Sequence, residues 1–163
     1  MATPRSASDS APVWVPADPD YANRVRASFD RQAAMRLIGA HLSDLGPGYC
    51  RIELPCRREL TQQHGYVHAG IVGAIVDSAG GYAGFTLFPA DSSVLTAEYK
   101  LNLLAPAMGD RLIATGEVVK PGRTLVITRG EVHAERNGKR ILCAIMQQTL
   151  MVMAGRQDSQ PTA

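Results

Sequence analysis

Alternating hydrophobic and polar residues dominate the second half of the chain. After Pro89, apolar side chains recur at every second position through four segments separated by short turns with proline or glycine. This period of two is typical of strands that bury one face. The predicted strands are 95–103, 112–119, 125–135 and 141–152, with the Asn-Gly pair of a tight hairpin before the last. In the first strand we expect one face of Leu95, Ala97, Tyr99, Leu101 and Leu103, and an opposite face of Thr96, Glu98, Lys100 and Asn102.

The first half of the chain carries one similar pattern and signs of helices. Residues 49–54 alternate in the same way and are closed by Pro55, which predicts a further strand. Asp18-Pro19-Asp20 is a typical helix start, so we expect one or two short helices between Pro19 and Ala40. A loop is predicted over 57–67.

An apolar, glycine-rich run from Ala69 to Thr86 predicts a long buried helix. It is nearly long enough to span a bilayer, but its glycines, its central Asp77 and the lack of a second such run argue against a membrane protein. A strand, a long helix and four closely connected strands indicate an α+β fold, in which an antiparallel sheet of five to six strands wraps around one helix. The helix glycines would allow close packing at Gly70, Gly73, Gly80, Gly81 and Gly84.

Length and composition indicate one globular domain. The 163 residues are 45% hydrophobic and 20% charged, which fits one domain over 18–153 with disordered tails at 1–17 and 154–163. A net charge of +2 offers no basic surface for nucleic acid. The three cysteines, Cys50, Cys56 and Cys143, form no CxxC pair, so we expect neither disulfides nor a zinc site, and a cytoplasmic location.

Asp77 is the strongest functional candidate, because it is the only charged residue between Glu59 and Asp91. An unpaired carboxylate is costly to bury, so such a group is neutralised, held by hydrogen-bond donors or used for chemistry. Perturbed acids of this kind concentrate at functional sites.

The segment before the helix brings in a family resemblance. His68-Ala69-Gly70 is similar to the HGG segment that opens the central helix of hotdog-fold thioesterases, specifically the phenylacetate-pathway (PaaI-like) acyl-CoA thioesterases. Asp77 follows His68 by nine positions, as the acid of that family does, and residues 96–107 match its T-x-E-x-x-x-N-x-L-x-P-A strand. Ala69 replaces the middle glycine, and Gln62 stands where the family usually has Asn. The resemblance covers residues 48–153.

The resemblance implies hydrolysis of an acyl-CoA thioester. Asp77 would activate water as a general base or attack the carbonyl itself, and the two routes stay open. The backbone amides at Ala69 and Gly70 would stabilise the oxyanion at the start of the helix. The remaining implied catalytic residues are His68, which would bond backbone at the helix start, Thr96, which would orient water, and Gln62 or Gln63, one of which would face the thioester.

Substrate contacts and assembly are implied in the same way. Arg123, with Thr124 in the same turn, would meet the phosphates of coenzyme A, and Tyr82 would line an acyl pocket or pack under the sheet. Coenzyme A enters as part of the substrate, and no metal or redox cofactor is implied. Because Asp77 lies two turns from the helix start, the site is expected to combine two subunits. A homodimer is then obligatory and we expect a tetramer, but the choice between dimer and tetramer and the pairing mode stay open.

Several other functions compete with this hypothesis. His64 and His68 are spaced like metal ligands, but no acid lies between them and no third ligand follows. Ser78 lacks the GxSxG elbow of a serine hydrolase. A hydroxyacyl-thioester dehydratase or hydratase, which would want His and acid together over the acyl chain, and a non-catalytic acyl-CoA-binding module remain the alternatives. The acyl group itself is not predicted.

Overall fold

The computed structural model describes residues 13–156 and 158. The predicted tails therefore lie largely outside the described residues, although Trp14, within the range predicted as the N-terminal tail, is partly buried against the core. The helices are α1 Tyr21–Arg31, α2 Ala33–Ile38 and α3 Ala69–Phe85, with a short 3-10 turn at Arg58–Leu60. The strands are β1 His41–Gly46, β2 Tyr49–Pro55, β3 Ser92–Leu103, β4 Arg111–Lys120, β5 Leu125–Arg136 and β6 Lys139–Ala154.

All six strands form one antiparallel sheet in the order β1-β2-β4-β5-β6-β3. The hairpin between β5 and β6 turns at Asn137 and Gly138, both with positive φ, as the Asn-Gly pair predicts. The sheet wraps around α3, which contacts five of the strands. The predicted α+β fold, with five to six strands around one central helix, is confirmed and is the architecture of the hotdog fold.

β1 is the one strand that the sequence pattern does not predict. It begins at His41 and pairs with β2, and its register shifts between Leu42 and Asp44. Three of its six residues are exposed and none is fully buried, so no apolar stripe marks this edge strand. The prediction of one or two short helices between Pro19 and Ala40 is confirmed, and the structure has two, α1 and α2.

Two glycines let α3 lie close to the sheet. A Cβ on Gly80 would lie 2.1 Å from Gln148 Oε1, and one on Gly84 would lie 2.4 Å from Leu150 Cδ1. Such distances do not occur for real Cβ atoms, so these two positions accommodate the side chains of β6. The packing role predicted for the helix glycines is confirmed here.

The same role is wrong for other glycines of the helix. A Cβ on Gly73 would meet its nearest neighbour at 3.6 Å, an ordinary contact distance. Among the described residues, no atom beyond its chain neighbours and its own helix backbone lies within 4 Å of a Cβ built on Gly81. Gly70 lies at the helix start, where the nearest side chain is that of His68. Close packing of α3 against the sheet therefore depends on Gly80 and Gly84, which lie about one helical turn apart.

A bulge in β3 decides which of its side chains face α3. Thr96 pairs with Leu150 and Glu98 with Thr149, so Ala97 is an extra residue in the strand. The face toward the helix consequently carries Thr96, then Tyr99 and Leu101. The predicted strict alternation, which put Thr96 on the face of Glu98, is wrong, because a bulge shifts the pleat by one residue.

Candidate active site

The Asp77 carboxylate lies on the middle of α3, against the sheet. Thr96 Oγ1 of β3 donates a hydrogen bond to Asp77 Oδ1 at 2.8 Å. The Gln148 amide of β6 donates to the same oxygen, and also to the Asp77 backbone carbonyl at 3.2 Å. Two side chains from adjacent strands therefore hold one carboxylate oxygen. The sequence predicts Asp77 and Thr96 as site residues, and the fold brings these two together.

Gln148 is a residue of this site that the sequence reasoning missed. It is 1% exposed, and its Oε1 accepts a hydrogen bond from Thr128 Oγ1 at 2.8 Å. The available signal is its position: β6 alternates inward at Met146, Gln148 and Leu150, so one amide interrupts an apolar stripe. A buried polar side chain on such a stripe is functional or structural more often than incidental.

Burial and hydrogen bonding act in opposite directions on the Asp77 carboxyl group. Burial raises its pKa above the ordinary value for Asp, because the charged form loses water. The hydrogen bonds from Thr96 and Gln148 lower the pKa but do not cancel the effect of burial. The result is a carboxylate that is a stronger base than an exposed Asp, which is the property a general base needs near neutral pH.

A cavity of about 300 Å³ opens beside Asp77. Tyr82 lies along it, and its hydroxyl is 3.2 Å from Ser28 Oγ of α1. Burial raises the pKa of Tyr82 to about 12, so it stays protonated. Tyr82 therefore lines the cavity and also packs against Phe29 of α1 at a centroid distance of 5.7 Å.

The start of α3 presents backbone amides. His68 is the N-cap, and its Nδ1 accepts a hydrogen bond from the Gly70 amide at 2.9 Å. His68 thus has a capping role, and the Gly70 N–H is occupied. The Ala69 N–H donates no hydrogen bond to any residue that the structure describes. Of the two predicted oxyanion donors, Ala69 is the one left free.

Gln62 and Ala69 share a second cavity, of about 370 Å³, which is bounded on its other side by Leu103 and Leu104. The Gln62 side-chain oxygen accepts a hydrogen bond from the His64 amide, which holds the loop in a tight turn. Gln63 is exposed and does not line this cavity. Of the two candidate glutamines, Gln62 is the one beside the helix start.

The two cavities lie at different positions along the same helix. Eight residues separate Ala69 from Asp77, which corresponds to roughly 12 Å of axial rise in an α-helix. That is too far for both to act on one carbonyl group within a protomer. Arg123 and Thr124 lie in the exposed turn between β4 and β5, outside the Asp77 cavity.

Three further observations concern metal ligands, thiols and membrane spans in the described part of the chain. Within residues 13–156 and 158, no three His, Cys, Asp or Glu side chains form a group that could hold a metal ion. The cysteines Cys50, Cys56 and Cys143 are free, and burial raises the pKa of the Cys50 thiol to about 12, so it stays a thiol. None of the described helices has the length and apolar character that crossing a bilayer requires.

Comparisons with known proteins identify the family. A family model, the thioesterase superfamily, matches residues 64–141, which include the start of α3, Asp77 and Thr96. The crystal structure of a thioesterase family protein from Silicibacter pomeroyi is 47% identical, with a TM-score of 0.82 over 83% of this chain and 99% of that one.

Two more distant structures share the fold. A thioesterase from Haemophilus influenzae is 21% identical, with a TM-score of 0.71 over 78% of this chain and 87% of that one. The PaaI protein from the phenylacetic acid degradation operon of Escherichia coli is 16% identical, with a TM-score of 0.76 over 85% and 96% of the two chains. The chain therefore belongs to the thioesterase superfamily, the hotdog-fold thioester hydrolases that its sequence resembles.

Proposed function

We propose that this protein hydrolyses acyl-CoA thioesters to free coenzyme A and a carboxylic acid, with Asp77 as the central catalytic residue. The observation that carries the proposal is the Asp77 carboxylate, held at one oxygen by Thr96 and Gln148 beside a cavity. Family membership supports thioester hydrolysis, and the geometry of this carboxylate supports its role.

The reaction follows from the groups around the thioester. Asp77 takes a proton from water while the water oxygen attacks the carbonyl carbon, and Thr96 orients that water. Negative charge then develops on the carbonyl oxygen, where the free Ala69 N–H and the α3 dipole of a second copy of the chain stabilise it. The C–S bond breaks, and the proton held by Asp77 passes to the leaving thiolate. No metal or redox group takes part in this scheme.

A second route uses Asp77 as a nucleophile that forms an anhydride with the acyl group. The two routes differ in the source of oxygen in the product acid when water attacks the Asp77 carbon of the anhydride rather than its acyl carbon. In a single turnover in oxygen-18 water, heavy oxygen in the acid supports the general base. An acid without heavy oxygen supports the covalent route, with water attacking the Asp77 carbon of the anhydride.

We propose that the site is completed by a second copy of the chain. β3 is an edge strand with one neighbour, and its exposed residues include Tyr99 and Leu103, 50% and 56% exposed. Thr96 borders the Asp77 cavity, and Leu103 borders the Ala69 cavity. Antiparallel pairing of two β3 strands across a twofold axis would bring the Asp77 cavity of one protomer to the Ala69 amide of the other.

We propose that two such dimers associate into a tetramer through exposed apolar residues on the outer face of the sheet. Leu95, Met151 and Leu125 are lateral neighbours on β3, β6 and β5, and each is between 39% and 56% exposed. A contiguous apolar patch of this kind favours association between copies. Sedimentation velocity tests the assembly: a tetramer is expected, and a monomer would contradict the shared site.

Contacts to coenzyme A are proposed at the exposed Arg123 turn, since a guanidinium pairs well with phosphate. Hydrolysis of a coenzyme A ester by a protein with three free thiols suits the cytoplasm. Neither proposal affects the chemistry at Asp77.

The direct test is release of free thiol from a panel of aromatic and straight-chain acyl-CoA esters. The Asp77→Asn variant keeps the size of the side chain and removes the base. We expect its rate to fall at least about a hundredfold, the usual range for a general base. Asp91→Asn is the matched control, because Asp91 is exposed in the loop after α3. No thiol release by the folded wild type from any ester would refute the proposed function.

A further inference from the structure

A buried amide links the Asp77 carboxylate to the middle of the sheet. Gln148 on β6 and Thr128 on β5 are 1% and 0% exposed, and the proposed reaction uses neither of them. Both occupy inward stripes that are otherwise apolar or glycine. Burying polar side chains is unfavourable unless they are hydrogen-bonded, so a pair placed behind a reactive carboxylate needs a reason.

We propose that Gln148, oriented by Thr128, is a positioning residue that fixes one carboxylate oxygen of Asp77 and leaves the other directed to the cavity. This inference rests on the proposed function and deepens it. Asp77 Oδ1 accepts hydrogen bonds from both Thr96 and Gln148. Asp77 Oδ2 accepts none from the residues that the structure describes, and Asp77 borders the cavity.

The direction of each hydrogen bond follows from what each group can donate. An ionised carboxylate only accepts, so the Gln148 Nε2 must face Asp77 and its Oε1 must face Thr128. The Thr128 hydroxyl then donates to that Oε1 at 2.8 Å. On the other side, Nε2 lies 2.9 Å from Thr96 Oγ1, which itself donates to Asp77. The direction of donation in this series of hydrogen bonds is therefore fixed: Thr128 donates to Gln148, and Gln148 donates to Asp77.

α3 is shaped to admit this amide. A Cβ on Gly80 would lie 2.1 Å from Gln148 Oε1 and 2.9 Å from Thr128 Oγ1. Any residue other than glycine at this position would displace the pair. The helix thus leaves room for the network one turn after Asp77, where the apolar packing of a hotdog core would otherwise be continuous.

The ionisable groups around Asp77 are few. Its cavity is also lined by Arg31, Tyr82 and Asp158; Arg31 pairs with Asp158 at 2.7 Å, and the Tyr82 hydroxyl lies against Ser28. From β3, Tyr99 lies near Gly73, about one turn before Asp77 on the same helix. β4 faces α3 at this level with Gly116, and the inward neighbours on β5 and β6 are Thr128, Gly130, Met146, Gln148 and Leu150, none of them charged. Among the residues that the structure describes, the hydrogen bonds from Gln148 and Thr96 therefore act on the pKa of Asp77 without a competing unpaired charge.

The test compares Gln148→Met with Gln147→Met. The two residues are adjacent, but Gln147 is exposed on the opposite face of β6. For Gln148→Met we expect kcat/KM for thiol release to fall at least about tenfold, as for the loss of a hydrogen bond to a charged group. The acid limb of the pH profile should also move to higher pH, because a donor to the carboxylate is lost. Thr128→Val should act in the same direction, while Gln147→Met should match the wild type.

Two readouts separate a positioning role from a merely structural one. In an Asp77→Asn background, Gln148→Met should leave the residual rate unchanged, because it acts through the carboxylate. Carbon-13 NMR titration of Asp77 needs no substrate, and it should give a higher pKa in Gln148→Met than in the wild type even if the protein hydrolysed no thioester. A wild-type Asp77 pKa and pH profile in both Gln148→Met and Thr128→Val would overturn the proposal.

Discussion

At the level of residues, Asp77 combines burial with hydrogen bonding at a single carboxyl group. Burial raises its pKa, which makes the carboxylate a better base, and two donors keep one of its oxygens in place. The same burial makes the ionised form unfavourable in the folded protein. In the proposed mechanism, this arrangement favours catalysis at the expense of stability.

Asp77→Asn is expected to stabilise the folded protein more at neutral pH than at acid pH. Because the folded pKa of Asp77 is above its ordinary value of 3.8, the stabilising proton is bound at low pH and lost as the pH rises through the folded pKa. Asn stays neutral throughout and keeps an oxygen for Thr96. Thermal unfolding of both proteins should show a gap in Tm that widens from acid to neutral pH. A gap independent of pH would contradict this account.

Ala69→Pro tests the oxyanion donor. Proline at the first helical position removes the N–H with little effect on the helix, and His68, with φ −59° and ψ 138°, has a backbone that can precede proline. We expect kcat to fall about 10²- to 10³-fold, as when one oxyanion donor is removed. Ala69→Gly keeps the N–H and is the control that should remain active. Equal activity in the proline variant would exclude this amide from the reaction.

The sequence predicts part of the site for a physical reason. Asp77 stands out because it is a lone charge in an apolar run. Its spacing of nine positions from His68 also relates it to the start of the helix. Gln148 and Thr128 do not stand out, since isolated Gln and Thr residues in strands are common on solvent faces. Their contact joins residues 20 positions apart, on two strands whose register the sequence alone does not determine.

At the level of elements, Arg24 of α1 binds the C-terminal end of α3. Arg24 donates to the carbonyls of Phe85 and Phe88 at 3.3 and 2.8 Å, pairs with Asp18 at 2.8 Å, and lies 4.2 Å from the centroid of the Phe85 ring. Phe85 is the last residue of α3 and Phe88 follows shortly after, so both carbonyls lie at the C-terminal end of the helix, where a cation is favourable. α1 in turn supplies Ser28 to the Asp77 cavity.

Arg24→Met is therefore expected to lower the free energy of unfolding by about 2 kcal/mol, because hydrogen bonds from a charged donor to two carbonyls are lost. Arg26→Met is the control, since Arg26 is exposed on the same helix. Urea unfolding measures both variants. If Arg24→Met and Arg26→Met proved equally stable, the arginine would not anchor α1.

The elements themselves were mostly predictable, and the exceptions have one cause. The helices and five strands follow from periodicity and turn residues, but the bulge at Ala97 and the irregular β1 do not. A bulge is invisible to a period-two count, because it changes the face of a side chain without changing its polarity. Strict alternation therefore predicts Thr96 on the same face of β3 as Glu98, whereas the structure has it on the same face as Tyr99.

At the level of the whole molecule, one protomer carries the two cavities that we propose as halves of one site. The Asp77 cavity and the Ala69 cavity border different parts of β3. A twofold pairing at this edge strand would place complementary halves together and would cover Tyr99 and Leu103. We therefore propose that the thioesterase site is shared between two subunits.

Thiol release by a mixture of two inactive variants is the direct test of the shared site. Asp77→Asn and Ala69→Pro subunits each lack one half, but a mixed dimer carries one intact pair of halves. Under random pairing, half of the dimers are mixed and each has one of two sites intact, so thiol release should return to about a quarter of the wild-type level. If mixed dimers form and thiol release remains absent, the site is not shared in this way and the account is contradicted.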